Sequence, residues 1–464
     1  MNINKIRILM NTSPDLKIRE LTINHKIINI IYFESLCNNA EINEFILKPI
    51  TINKLSNKSD IENKLPHNNY IKIKEEKELY YCLYSGFTII NIDNSYYAFE
   101  TKFQLDSGIN EASNEKTIKG PKDAFSENYQ TNLGLIRKRI KSDNLIVKEY
   151  IIGTSSKSKV SIIYMNDIAK EEFVNKIEKR IKDISIDYVG NSNYIVENIT
   201  PKNNMFQSYI STERPDFVSF SLMEGRISIL VENSSQVIIL PTFFSDYIKN
   251  VDDFYQNTKN VSITRIIRLL AFLIAILTPG FYIALTTFNQ ETLPTTILIN
   301  FSMQREGVPF PSIIEAILLF ISFEILREAD TRIPLVVGTS MSIVGALVLG
   351  QAAVDAGLIS PIMIIIIALS SVASFLFNDN DTVNTIRVWK LIFLLLSAFV
   401  GLYGLFIGTL LFVINICSID NYGFDYTYPF SPFKIKEQIN NFILTKKYKY
   451  NKRNSLLTKN TLRR

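Results

Sequence analysis

Four runs without a single charged residue, at 269–290, 333–354, 356–378 and 391–419, constrain this chain more than any other feature. They are 22, 22, 23 and 29 residues long. At a rise of 1.5 Å per residue, about 20 residues cross a hydrocarbon core of about 30 Å, so each run is long enough to span a bilayer. A buried helix of a soluble protein is this apolar over about a dozen residues, not repeatedly over twice that length. All four runs follow residue 268, whereas residues 1–260 have the charge density of ordinary globular sequence. The expected architecture is an α/β two-lobed N-terminal soluble domain (1–262), then an α-helical multi-pass membrane domain of about four spans (263–419), then a basic cytosolic tail (420–464).

The formal net charge of +5 conceals an asymmetry. From Lys434 to Arg464, ten lysines and arginines stand against one acid, Glu437, leaving +9 on the tail and −4 on everything before it. A basic flank after an apolar run marks the cytoplasmic side and attracts anionic membrane lipid. Arg265 and Arg268 precede the first run, so both termini are expected in the cytoplasm, with 289–332 and 379–390 outside and the 355–360 turn inside. Only Tyr448 and Tyr450 interleave the basic tail after Phe442, and no nucleic-acid fold accompanies it, so no nucleic-acid partner is expected.

Cys37, Cys82 and Cys417 have no paired spacing, and His25 and His67 are the only histidines. Disulfide frameworks, metal sites and Ser-His-Asp or Cys-His catalysis lack their material, and no Walker A loop or GxGxxG cradles a phosphate. No catalytic residue, metal or cofactor is expected, and the chain does not read as an enzyme. The N-terminus lacks a continuous apolar segment, so the first membrane helix is expected to act as its own insertion signal.

In the first half, 40–55 reads as a helix and 58–69 as a loop. Residues 80–93 and 95–103 read as strands around Asp93-Asn94, and 145–153 and 159–165 as two more. Phe173, Ile177 and Ile181 recur at helical spacing, and a third hairpin turns at Asn233-Ser234-Ser235. Gly120-Pro121 separates the lobes, ahead of a helix from near Asp123 carrying Asn132, Arg137 and Arg139. Those arginines are expected to meet acids of a partner or of the second lobe, and Thr212–Asp216 to be a cap or ion-pair loop between lobes. In the first apolar run Pro279-Gly280 predicts a kink whose freed carbonyl a neighbour must satisfy.

Five stretches together resemble the GerA-type spore germination proteins, the A subunit of the nutrient germinant receptor. They are IKGPKDAFSENYQTNLGLIRKRI (118–140), TERPDFVSFSLMEGRISILVENSSQVIILP (212–241), LTPGFYIAL (277–285), EILREADTRIPLVVGTSMSIVGALVLGQAAVDAGLISP (324–361) and YGFDYTYPFSPF (422–433). The sequence departs from the family at Asp330, where a Gly is usual, while Arg327, Glu328, Ala329, Arg332 and Pro334 keep the rest of that motif. The resemblance implies a spore inner-membrane receptor whose partners are a nutrient-binding membrane B subunit and a lipoprotein C subunit, and which releases monovalent cations through an ion path.

Two groups of residues bear on such a path. On the helix 335–354, Gly338, Ser342 and Gly345 form a small-residue packing face. Ser340, Ile343, Leu347 and Gln351 lie nearly opposite and, repeated around a homo-oligomer, would line a narrow pore with a dewetting constriction at Ile343 and Leu347. Packing within one subunit is the competing use. In 312–332, Glu324, Arg327, Glu328 and Arg332 are the expected ion network, on an amphipathic or re-entrant helix. A secondary transporter or a membrane-bound transducer without its own pore is the alternative function.

Overall fold

The computed structural model describes residues 6, 13–66, 70–103, 112, 115, 117, 119–200, 204–332, 350–377, 379–433, 444 and 452–462. Its N-terminal half is built twice on one plan. The first sheet contains β1 (Leu16–Ile23), β2 (Lys26–Phe33), β3 (Tyr70–Ile73), β4 (Phe87–Ile92) and β5 (Ser95–Glu100), in the order β1-β2-β4-β5-β3. The second contains β6 (Leu145–Ile152), β7 (Ser158–Met165), β8 (Ile210–Thr212), β9 (Ile227–Val231) and β10 (Val237–Leu240), in the order β6-β7-β9-β10-β8. Each strand pairs antiparallel with its neighbours. The helices are α1 (Glu76–Tyr84), α2 (Tyr129–Arg139), α3 (Glu171–Lys182), α4 (Ser192–Ile199) and α5 (Pro215–Met223). Helices α1 and α5 hold equivalent places, and each ends in a glycine at positive φ, Gly86 at 85° and Gly225 at 88°.

The inner strands β4, β5, β7, β9 and β10 are buried along most of their length because both faces of the sheets are covered there. In β7, Val160 and Ile162 enter a core with α3 and α4, while Ile163 and Met165 face the other way. The inner faces of the two sheets meet α1, α2 and α5 in one continuous core, so the lobes pack as a single body. Arg137 on α2 crosses to the first lobe. It is fully buried over the Phe33 ring and grips Asp15 through two hydrogen bonds of 2.6 and 2.7 Å. Arg139 pairs with Asp123 instead, and Asn132 closes the preceding loop on Ser126.

Several local expectations need correction. Residues 76–84 are helical although Tyr80–Tyr84 have strand-forming side chains, because Leu79, Cys82 and Leu83 recur on the face turned to the core. Residues Lys58–Lys64 form a helix rather than a loop, and α2 begins at Tyr129, where Asn128 caps it, rather than near Asp123. The β1-β2 hairpin, unforeseen in the sequence, turns at Asn24 and His25 with φ of 49° and 62°. His25 is exposed there, and His67 lies outside the described residues.

Among the described residues, the second half contains the helices α6 (Thr258–Thr287), α7 (Thr295–Arg305), α8 (Ser312–Arg332), α9 (Pro361–Ser374), α10 (Asn380–Val400) and α11 (Leu402–Cys417). Helix α6 leaves the soluble domain and α10 runs parallel to it, from Thr385, whose hydroxyl donates to the Met205 carbonyl, to Phe393 and Ser397 beside Gly280. Residues 379–390 therefore lie on the side of the soluble domain, not opposite it. Helix α9 runs antiparallel to α6, with Ser370 against Ala275, and begins at the far end, where Ser360 meets Glu315. The turn at 355–360 is thus at the far end as well.

The apolar run 391–419 is not one span. Gly401, at φ 64°, breaks it into α10 and α11, which fold back on each other. A Cβ at Gly404 would clash with the Leu396 carbonyl oxygen, and one at Gly408 would fall 2.7 Å from the Phe393 ring, so glycine permits the approach. Segment 312–332 is a continuous helix inside the bundle. By length and composition two described helices, Thr258–Thr287 and Asp381–Val400, can cross a membrane, while α9 and α11 are apolar but shorter.

Candidate functional site

The junction between the halves is held by ion pairs. Asp253 receives Arg265 at 2.7 Å and Arg268 at 3.0 Å, and Arg268 also donates to the Ile248 carbonyl. Arg265 and Asp253 are both buried. The two arginines that served as flanking charges for orientation are thus committed to a carboxylate. Nearby, Arg214 holds Asp216 at 2.6 Å and Asp252 at 3.6 Å, and Tyr255 donates to Asp216. Burial works to raise the Asp216 carboxyl, but Arg214 and Tyr255 keep it below its ordinary value. The 212–216 segment is accordingly an ion-pair loop at the start of α5, as its composition implies.

Within the bundle the expected pair of Glu324 and Arg327 is present, and cations of α10 join it. Glu324 pairs with Arg327 at 3.0 Å on its own helix and with Arg387 at 2.8 Å on α10. Lys390, one turn beyond Arg387, is buried with its ammonium 5.8 Å over the Phe320 ring. Glu324 therefore serves Arg327 and Arg387 and faces the buried Lys390. Glu328 and Arg332 follow on α8. Arg387 and Lys390 escaped the sequence reading because no spacing rule links α8 to residues about sixty positions away.

At the far end, Glu315 is fully buried, and its Oε2 accepts from the Ser360 amide at 2.9 Å and hydroxyl at 2.7 Å. Arg305 approaches its other oxygen at 3.8 Å. Gln351 is exposed and donates to Asp355 at 3.1 Å. Ser340, Ile343 and Leu347, with Gly338, Ser342 and Gly345, lie outside the described residues.

The bundle is apolar outside as well as in its core, and several of its polar side chains are held inside. Glu315, Lys390, Ser370 and Ser397 are inside, whereas Phe281, Ile365, Leu369, Phe399, Tyr403 and Phe406 are exposed. A water-soluble bundle places these classes the other way round.

Fold and site together define a two-part protein, a duplicated antiparallel domain joined through buried ion pairs to an apolar helical bundle with charge in its interior. The chain belongs to the Bacillus/Clostridium GerA spore germination protein family, which it matches over residues 4–456. It is 35% identical to spore germination protein KA of Bacillus subtilis (strain 168) over 93% of this chain and 81% of that one. It is 30% identical to spore germination protein A1 of the same organism, over 90% and 88% respectively. An uncharacterized membrane protein, YfkQ, of that organism is 36% identical over 71% of this chain and 64% of its own length. Among solved structures, the N-terminal domain of the A subunit of the Bacillus megaterium spore germinant receptor GerK3 is similar at 26% identity and a TM-score of 0.39, covering 52% of this chain and 94% of that one.

Proposed function

We propose that this chain is the A subunit of a spore nutrient germinant receptor, a multi-pass protein of the spore inner membrane with both termini in the cytoplasm. It acts without chemistry of its own, with a nutrient-binding B subunit and a lipoprotein C subunit, and as a homo-oligomer it forms or gates a path for monovalent cations. Family membership carries the receptor reading, and the apolar outer surface of the bundle supports the membrane reading, since exposed Phe399, Tyr403 and Phe406 suit lipid or a neighbouring subunit. The helix directions favour more passes than four. Helix α8 runs back toward the N-terminal domain alongside α10, and α10 and α11 form a hairpin, so α6, α8, α9, α10 and α11 run five times along the bundle, and the apolar run 333–354 expected from the sequence makes the number even at six.

Cation flux from liposomes containing the full chain, with and without the B subunit, tests the channel. Leu347→Ala is expected to leak cations without nutrient, because a wider constriction holds water. Gly345→Leu is expected to abolish assembly instead. Reduced abundance of Leu347→Ala with no leak would remove that helix from the pore.

A further inference from the structure

The two lobes are equivalent down to their closing strands, except that these come from different parts of the chain. In the first lobe, Cys37 lies four residues beyond the end of β2 and forms an antiparallel bridge with Lys102, two residues beyond the end of β5. The Asn38 amide donates to the Thr101 carbonyl at 2.8 Å, and the Phe103 amide donates to the Leu36 carbonyl at 2.8 Å. In the second lobe, Ala169 lies four residues beyond the end of β7, in the same position, and forms an antiparallel bridge with Thr458 near the C-terminus. The Lys459 amide donates to the Ile168 carbonyl at 2.8 Å, the counterpart of Phe103 to Leu36.

The glycines agree with this equivalence. A Cβ at Gly86 would meet Lys102 at 3.2 Å, and a Cβ at Gly225 would meet Thr458 at 2.7 Å and the Leu457 carbonyl oxygen at 3.1 Å. Each closing strand therefore lies across the glycine that follows the inner helix. The second lobe does not supply its own strand because the chain leaves β10 in another direction. The Thr242 amide donates to the Ser208 carbonyl, and the chain then proceeds through Phe243 toward α6. Leu457 is buried against Phe243 and Tyr428, and Arg453 donates to the Met223 carbonyl at 2.9 Å.

We infer that residues 452–462 of the same chain, a loop whose ends pair at Lys452 and Leu462, supply through Thr458 and Lys459 the closing bridge of the second lobe, returned to it after the helical bundle. The basic tail is then also a strap tying the exit of α11 to the N-terminal domain. The Lys459 main-chain hydrogen bond supplies the pairing, as when a peptide adds to a sheet edge, and Leu457 supplies the anchor. This inference is independent of the receptor function proposed above.

The test uses the full chain in membranes. In a Cys417→Ser background, Ala169→Cys with Thr458→Cys places two thiols in a non-hydrogen-bonded antiparallel pair, whose Cα separation of about 4.5 Å suits a disulfide. An added oxidant is expected to cross-link most of the protein within one chain, while Thr458→Cys alone, with native Cys37 and Cys82, stays reduced. No cross-link above that control would overturn the inference, and so would a cross-link found only between two chains. Deleting 452–464 or introducing Lys459→Pro, which removes the pairing amide, is expected to speed tryptic cleavage after Lys170 and Arg226 about tenfold. An unchanged cleavage rate in a variant of normal abundance would equally sink it.

Discussion

The hydroxyl of Ser370 donates a 2.7 Å hydrogen bond to the carbonyl of Ala275, four residues before Pro279 in α6. That carbonyl is the acceptor that proline, lacking an amide hydrogen, leaves open. The sequence demand for a neighbouring donor is thus met by a serine of α9, and α6 passes Pro279 as one helix.

Ser370→Ala should cost about 1–3 kcal/mol, because both the donor and the buried carbonyl lie inside the bundle. Pro279→Ala restores an amide to Ala275, so the double variant should be more stable than the sum of the two single changes. Thermal unfolding of the four detergent-solubilised proteins measures the coupling, and strict additivity would exclude the relay.

Arg137 and Asp15 make a second testable pair, since their side chains are 0% and 2% exposed. Arg137→Met should cost about 3–5 kcal/mol, because among the described residues Asp15 then keeps Ser35 alone as a side-chain donor. Arg137→Met with Asp15→Leu should recover much of that loss. Denaturant midpoints of the three variants decide whether this bridge or apolar packing dominates between the lobes.

What the sequence revealed and concealed follows from the range of each signal. Asp93, Asn94 and Asn233 adopt positive φ, so the two hairpins they close were readable locally. The turn at Asn24 and His25 has no glycine, and β1 alternates across a partly exposed surface, so that hairpin lacked contrast. The hairpin at Gly401 carries no charge to mark it, and its signal was the spacing of Gly401, Gly404 and Gly408. Arg137 was found as a residue, but Asp15, which it crosses 122 positions to reach, was not. Arg387, Lys390 and the tail strand were concealed for the same reason: their partners are set by topology rather than by spacing.

Glu115 gives the soluble domain a pH dependence of defined sign. Burial pushes its carboxyl up to about 7 from an ordinary 4.5, against the opposing pull of Thr212, the Glu213 amide and Arg214. Below 4.5 both folded and unfolded states are protonated. As pH rises from about 4.5 to about 7, the unfolded chain has released a proton that the native state retains, so stability falls through that window and levels above it. Glu115→Gln should flatten this component of the curve. Thermal midpoints from pH 4 to 8 for both proteins measure it, and parallel curves would refute the assignment.

The charge balance of the bundle makes the last prediction. Glu324 is the carboxylate that pairs with both Arg327 and Arg387, while Lys390 is buried close by. Removing Arg327 leaves Glu324 paired with Arg387, and Arg327 is itself 21% exposed, so Arg327→Ala should cost about 1 kcal/mol or less. Removing Glu324 instead takes the carboxylate away from the partly exposed Arg327 and Arg387 and from beside the buried Lys390, and Glu324→Gln should cost about 3 kcal/mol or more. Adding Lys390→Met to Glu324→Gln takes away the most deeply buried of those cations and should restore part of the loss. Membrane abundance of the three variants, read beside their thermal midpoints, checks the order. If Arg327→Ala proved as damaging as Glu324→Gln, the excess charge at this site would be acidic rather than basic, and the pairing with α10 would not be what holds α8 in the bundle.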